Sequence, residues 1–193
     1  MTQHLPGERL TRAGINAAGE NPRRTLCHSG FTHGKGQSAD MVFLVAVAGT
    51  IILLDQLTKL LILYYVPVNT GHVVIPGFFN LIHVRNTGGA FSMLAGADAT
   101  WRLPFFVAMT LIVVGIIVWA YRKIDRRELW TRTAYALICG GALGNLSDRL
   151  RFGEVVDFLE FHIGTYSWPA FNVGDSAISA GAVMLIIALL RGK

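Results

Sequence analysis

The chain has 193 residues, of which 52% are hydrophobic and 15% charged, and it carries a net charge of +5. A water-soluble domain keeps about a quarter of its residues charged, so this composition excludes an ordinary soluble enzyme and points to apolar runs that cross a membrane. The positive charge is segregated by loop and does not interleave with aromatics, which argues for membrane topology and against a nucleic-acid surface.

Residues 1–40 are polar, rich in Gly, Arg and Asn, and show no apolar period. They read as a flexible, cytoplasmic N-terminal extension. Met41 stands immediately before the first apolar run and is an alternative start. Cys27 has no apolar stretch ahead of it, so the tail is no lipoprotein signal in itself. The other cysteine, Cys139, lies inside an apolar run, so a disulfide is not expected and Cys139 reads as a small packing residue. No histidine or cysteine spacing suggests a metal site or a cofactor.

The first span covers about 41–66, too long for a signal-peptide core and without a small-x-small cleavage site to close it. Within it Asp55 and Lys59 stand at i and i+4 and share a face. Charges inside a span cost about 2.5–3.5 kcal/mol each. The pair therefore either locks the helices together or takes part in chemistry. The segment that follows, His72–Val84, alternates β-branched and aromatic residues around Pro76-Gly77. It predicts a short β-hairpin, too apolar for open water. A cradle on the membrane surface follows, with Phe78 and Phe79 dipping toward lipid.

The second span covers about 104–121, the third about 133–147 and the fourth about 171–190. Arg9, Arg12, Arg23, Arg24 and Lys35 precede the first span. Arg122, Lys123, Arg126, Arg127 and Arg132 separate the second from the third, and Arg191 and Lys193 follow the fourth. Between the first two spans only Arg85 and Arg102 occur. The positive-inside rule then places both termini and the middle loop in the cytoplasm. The fold class is an all-α membrane protein, a four-transmembrane-helix bundle with a small extracytoplasmic β-hairpin between spans one and two. The four-span domain covers 41–193.

Polar groups recur at the outer end of this frame. The third span closes on Gly144-Asn-Leu-Ser-Asp-Arg149, where helical spacing puts Asn145, Asp148 and Arg149 on one side. Asp157 follows, flanked by Val and Phe, and the fourth span opens with Asn172 three residues before Asp175. Each alone reads as an interfacial ion pair or a helix-terminal charge. Together they converge at one membrane depth, which a single site explains better than separate coincidences. Two aspartates can cleave a peptide with neither metal nor side-chain nucleophile: one takes a proton from water while its protonated partner polarises the carbonyl. Such chemistry suits a chain without a Ser/Lys pair, a Cys/His pair or a His-Glu-x-x-His helix. The rivals are a proton-coupled transporter, which would space carboxylates across the bilayer, and a non-catalytic assembly factor.

Five segments, Asp-Gln-Leu-Thr-Lys59, Arg-Asn-Thr-Gly-Gly-Ala-Phe91, Gly-Asn-Leu-Ser-Asp-Arg149, Val-Val-Asp-Phe158 and Pro-Ala-Phe-Asn-Val-Gly-Asp-Ser-Ala-Ile178, resemble in order the motifs of bacterial lipoprotein signal peptidase, or signal peptidase II. The resemblance implies a membrane aspartyl endopeptidase in the bacterial inner membrane. Such an enzyme removes signal peptides from diacylglyceryl-modified prolipoproteins, cutting just before the lipobox cysteine. It implies Asp157 and Asp175 as the catalytic dyad, Asn86, Asn145, Arg149 and Asn172 as groups that orient dyad and substrate, and Asp55, Lys59 and Asp148 as their support. It further implies a site at the periplasmic face, no metal, inhibition by globomycin-type cyclic peptides and a monomer. Gly174 and Gly89 stand where the family commonly has Ala.

Overall fold

In the computed structural model, residues 33–89, 93, 94, 96 and 98–191 are described. Cys27 and the arginines of the tail fall outside them, as do Ala90, Phe91 and Lys193. The extension expected over residues 1–40 is outside as far as residue 32, and residues 33–40 already belong to a helix.

Among the described residues four helices carry the fold: α1, His33–Tyr65; α2, Ala99–Tyr121; α3, Leu129–Phe152; and α4, Val173–Leu190. The portions Met41–Tyr65, Thr100–Tyr121 and Val173–Leu190 are long and apolar enough to cross a membrane. Their apolar residues point outward as well as inward. Leu53, Leu61, Leu111, Ile112, Ile116, Ile186 and Leu189 are all more than half exposed, as expected where lipid rather than water surrounds a helix. α3 is different, because it packs against α1, α2 and α4 and carries its polar residues inside. Ala134, Ala136, Cys139, Gly140, Gly141 and Gly144 are the small residues that let it sit between the others. A Cβ on Gly141 would overlap the Gly174 carbonyl oxygen, and one on Gly140 would lie 2.8 Å from the Ala48 carbonyl oxygen. Cys139 is buried and packs with Leu44, Ala48, Ile117, Tyr121 and Ala136.

The loop after α1 forms a hairpin, β1 (Gly71–Ile75) and β2 (Phe79–Asn86). Its turn is Ile75-Pro76-Gly77-Phe78, closed by Phe78 N–H donating to the Ile75 carbonyl at 3.0 Å. Gly77 has φ +75°, the left-handed conformation that a Pro-Gly type II turn requires. This hairpin is only half of the sheet. β2 pairs antiparallel with β3 (Val155–Ile163), which in turn pairs with β4 (Tyr166–Ser167), giving the order β1-β2-β3-β4.

The expectation of an all-α chain with a lone hairpin is thus corrected, and the missed strand is β3, the one that carries Asp157. Its sequence VVDFLEFHI is apolar on both faces, so it lacks the period-two alternation that marks a half-buried strand. Val156 and Phe158 pack on Ile62 and Val66 at the end of α1, while Phe161 stacks on Phe79 and Phe171 at 4.8 and 5.8 Å. Phe79 therefore lies against other aromatics, and Phe78, about half exposed, touches the edge of Phe161.

Candidate active site

α1 and α3 end, and α4 begins, beside the sheet, and every candidate residue lies there. α4 opens with a capping box. The Asn172 Oδ1 accepts from Asp175 N–H at 2.9 Å, and the Asp175 Oδ2 accepts from Asn172 N–H at 3.2 Å. The same asparagine reaches the strand. Its Nδ2 donates to Asp157 Oδ1 at 2.7 Å and to the Val156 carbonyl at 3.3 Å. One side chain, fully buried, thus touches both aspartates.

Each carboxylate has a second amide donor. Asn86, at the end of β2, donates to Asp157 Oδ2 at 3.0 Å. It is held in turn by Gly88 N–H on its own Oδ1 at 2.9 Å. Asn145, on α3, donates to Asp175 Oδ1 at 2.8 Å. Asp157 is buried, and burial first, then the neighbouring charge of Asp175, pushes its carboxyl up to about 7, against the pull of Asn86, Asn172 and Lys59.

Behind this front lies a buried ionic layer. Lys59 Nζ contacts Asp55 Oδ2 at 2.7 Å, Asp148 Oδ2 at 2.8 Å and Asn145 Oδ1 at 2.8 Å, which uses all three of its protons. The sequence grouping of Asn145, Asp148 and Arg149 on one side needs correction. Asp148 faces inward to Lys59, whereas Arg149, a further 100° round the helix, faces the cavity. Asn145 lies between them and serves both layers. Arg149 lies over the Phe106 ring at 4.6 Å and donates to the Gly88 carbonyl at 2.9 Å.

Asn86, Asn145, Arg149, Asp157 and Asp175 line one cavity of about 590 Å³, walled further by Phe106, Trp168 and Ile178. Asp55, Lys59, Asp148 and Asn172 stand behind its wall. Among the described residues no buried side-chain nitrogen or oxygen lacks a partner, and no group of three or more His, Cys, Asp or Glu side chains is placed to hold a metal ion.

Sequence reasoning passed over Gln56. Its Nε2 donates to Asp148 Oδ1 at 2.9 Å and to the Gly144 carbonyl at 3.2 Å. Its Oε1 accepts from Arg151 at 3.0 Å. It also donates to its neighbour Asp55 at 3.3 Å, but its other partners are on α3, so spacing within α1 carried no signal. Trp168 was also missed, because nothing in its local sequence relates it to a cavity.

Two carboxylates, one buried and one half-buried, that share a cavity at the end of apolar, membrane-length helices meet what an aspartic peptidase working in a membrane requires. The chain belongs to the family described as Signal peptidase (SPase) II, which it matches over residues 47–191. It is 45% identical over 153 residues to the lipoprotein signal peptidase of Syntrophotalea carbinolica, covering 79% of this chain and 94% of that one. It is also 42% identical over 151 residues to the lipoprotein signal peptidase of Syntrophus aciditrophicus, covering 78% and 94%. Among solved structures it is similar to a bacterial membrane enzyme determined by the in meso method at 2.3 Å resolution. There the TM-score is 0.70 at 35% identity, over 77% of this chain and 88% of that one. The protein is therefore a multi-pass membrane protein and an aspartic endopeptidase.

Proposed function

We propose that the protein cleaves signal peptides from lipoprotein precursors and that Asp157 and Asp175 are its catalytic pair. The observation that carries the assignment is the Asn172 bridge, in which one residue behind the cavity wall donates to both carboxylates that line the cavity. The substrate is a diacylglyceryl-modified prolipoprotein, cut immediately before the lipobox cysteine. Its lipid chains stay in the bilayer, so a cavity at the end of apolar helices can receive the scissile bond without extracting the substrate.

Asp157, whose carboxyl is pushed up to about 7, holds the shared proton and donates to the scissile carbonyl. Asp175 in its ionised form takes a proton from the attacking water. As the tetrahedral intermediate collapses, that proton passes to the leaving amine of the cysteine, and Asp157 recovers its own from the new carboxyl-forming centre. Because the carboxylates share a proton, both limbs of the pH profile belong to the pair. Asn86, Asn172 and Asn145 fix the carboxylate orientations, and Arg149 offers guanidinium donors to a substrate carbonyl.

The topology belongs to the same proposal. Arg122, Lys123, Arg126 and Arg127 lie between α2 and α3, Arg132 is in the first turn of α3 and Arg191 follows α4, at the bundle end away from the sheet. That end is cytoplasmic by the positive-inside rule, both termini with it, and the sheet and cavity face the periplasm of a bacterial inner membrane. α3, about 36 Å long at 1.5 Å per residue, also spans the membrane as the third span, with its polar side shielded by the other three helices. The enzyme acts as a monomer, and globomycin-type cyclic peptides bind in the cavity.

The test is turnover of a diacylglyceryl-modified prolipoprotein by the purified protein. Asp157→Asn and Asp175→Asn should each lose roughly 10²- to 10⁴-fold in kcat while remaining folded. Full turnover by either folded variant would refute the pairing.

A further inference from the structure

Asp55 and Asp148 flank Lys59, and each also accepts a backbone N–H from another element. Asp55 Oδ1 accepts from Gly174 N–H at 2.8 Å, and Asp148 Oδ2 accepts from Val156 N–H at 3.2 Å. Gly174 immediately precedes Asp175, and Val156 immediately precedes Asp157. The third proton of Lys59 goes to Asn145 Oδ1, which turns the Asn145 amide toward Asp175. All three arms of one buried ammonium therefore end on the two segments that carry the aspartates.

We infer that Lys59 is a positioning residue that sets the separation of Asp157 and Asp175, holding the start of α4 through Asp55 and strand β3 through Asp148. The inference rests on the catalytic reading of that pair. Physical necessity favours this arrangement, because Asp157 and Asp175 come from a strand and a helix entry, and ionising both would drive them apart. A cation between two carboxylates resists that repulsion at a distance from the reacting atoms. Gln56 closes the layer on its outer side: Arg151 orients its amide so that its donors face Asp148 and Gly144. Asp55 and Lys59 from α1 and Arg149 from α3 are the charged groups that act on the pair. Asn86 from β2 and Asn172 before α4 are neutral.

The separation of two carboxylates is readable in solution. Closely spaced acids titrate in two well-separated steps, and the steps converge as the acids move apart. Lys59→Arg keeps the charge but replaces a compact three-proton point with a planar fork. In the full-length purified enzyme, with a diacylglyceryl-modified lipopeptide as substrate, it should lower kcat roughly 100-fold with KM held within about twofold. The acidic and basic limbs of the pH profile should draw together. Asp148→Asn, which loosens the strand side alone, should move the limbs in the same direction by less. A role confined to stability would lower the melting temperature and leave both limbs in place, and that result in a folded variant overturns the inference.

Should neither variant fold, hydrogen exchange in the wild-type enzyme still decides. Val156 and Gly174 N–H must exchange as slowly as the helix core, and rapid exchange at either refutes the clamp. Asp157→Asn assayed in parallel separates the two failures. An active Asp157→Asn sinks the catalytic pair itself, whereas an inactive one beside unmoved limbs in Lys59→Arg sinks only the clamp.

Discussion

The two ends of the bundle surround their buried charge with different neighbours. At the sheet end Asp55, Lys59, Asn145, Asp148, Asp157 and Asn172 are all buried, and each is tied to others drawn from α1, α3, β3 and the start of α4. At the far end Arg132 is a buried cation set against aromatic rings. Its guanidinium lies 4.9 Å from the Phe43 ring and 5.2 Å from Tyr121, with Nε donating to the Tyr121 hydroxyl at 3.0 Å and Nη1 to the Arg126 carbonyl at 3.1 Å. Around it Trp130 donates to the Met184 carbonyl at 2.8 Å, and Lys123 lies over Trp119 at 3.5 Å. Aromatic faces accommodate a cation cheaply and with little angular demand. A network of carboxylates and amides demands every partner at once. The far end needs only to be closed, whereas the sheet end has to hold particular atoms in particular places.

Three measurements test that contrast. The largest effect belongs to Asp157. Its ordinary value is 3.8, and in the folded protein it stands at about 7, so between those values the folded chain binds more protons than the unfolded one. Stability should therefore be full below about pH 4 and decline as pH rises through about 7, by several kcal/mol at about 1.4 kcal/mol per pH unit. Melting curves of wild type and Asp157→Asn across this range should diverge, with the variant flatter. Parallel curves would mean that Asp157 is not held in the state described.

A smaller effect is expected at the other end. Arg132→Met should cost about 1–2 kcal/mol and leave kcat and both limbs of the pH profile untouched. A shift in either limb would show that the ends are coupled. The smallest effect lies at Gly174. A Cβ there would stand 3.0 Å from the Gly141 carbonyl oxygen, 3.1 Å from Asn172 Oδ1 and 3.2 Å from Asp55 Oδ1. Gly174→Ala thus sets slight crowding against a gain in helix propensity of about 0.5–1 kcal/mol, so a net change below about 1 kcal/mol is expected by thermal melting. A large loss of activity would show the α4 entry to be tighter than drawn.

The membrane-length runs were plain in the sequence, because apolar residues in blocks leave no other reading. So was the Pro-Gly turn at 76–77, whose backbone demand is local. Spacing paired Asp55 with Lys59 and Asn172 with Asp175 correctly, since neighbours on a helix face or in a capping box are fixed by one helical turn. It misjudged Asp148 and Arg149, adjacent residues about 100° apart on the helix, whose assignment to inside or cavity depends on where α1 lies. It was silent on Gln56, most of whose partners are on another helix.

What the sequence determined by itself was therefore everything governed by local periodicity and by cost: which segments are apolar, where the basic residues gather, and that so many polar groups inside spans must have a purpose. Only the tertiary structure decided that β3 is a strand paired to the hairpin, that Asn172 joins the two aspartates, and that Lys59 reaches both of their segments. Those contacts join residues far apart in the chain. Their geometry depends on how glycines along α3 let α1 and α4 approach, a property that no single segment carries.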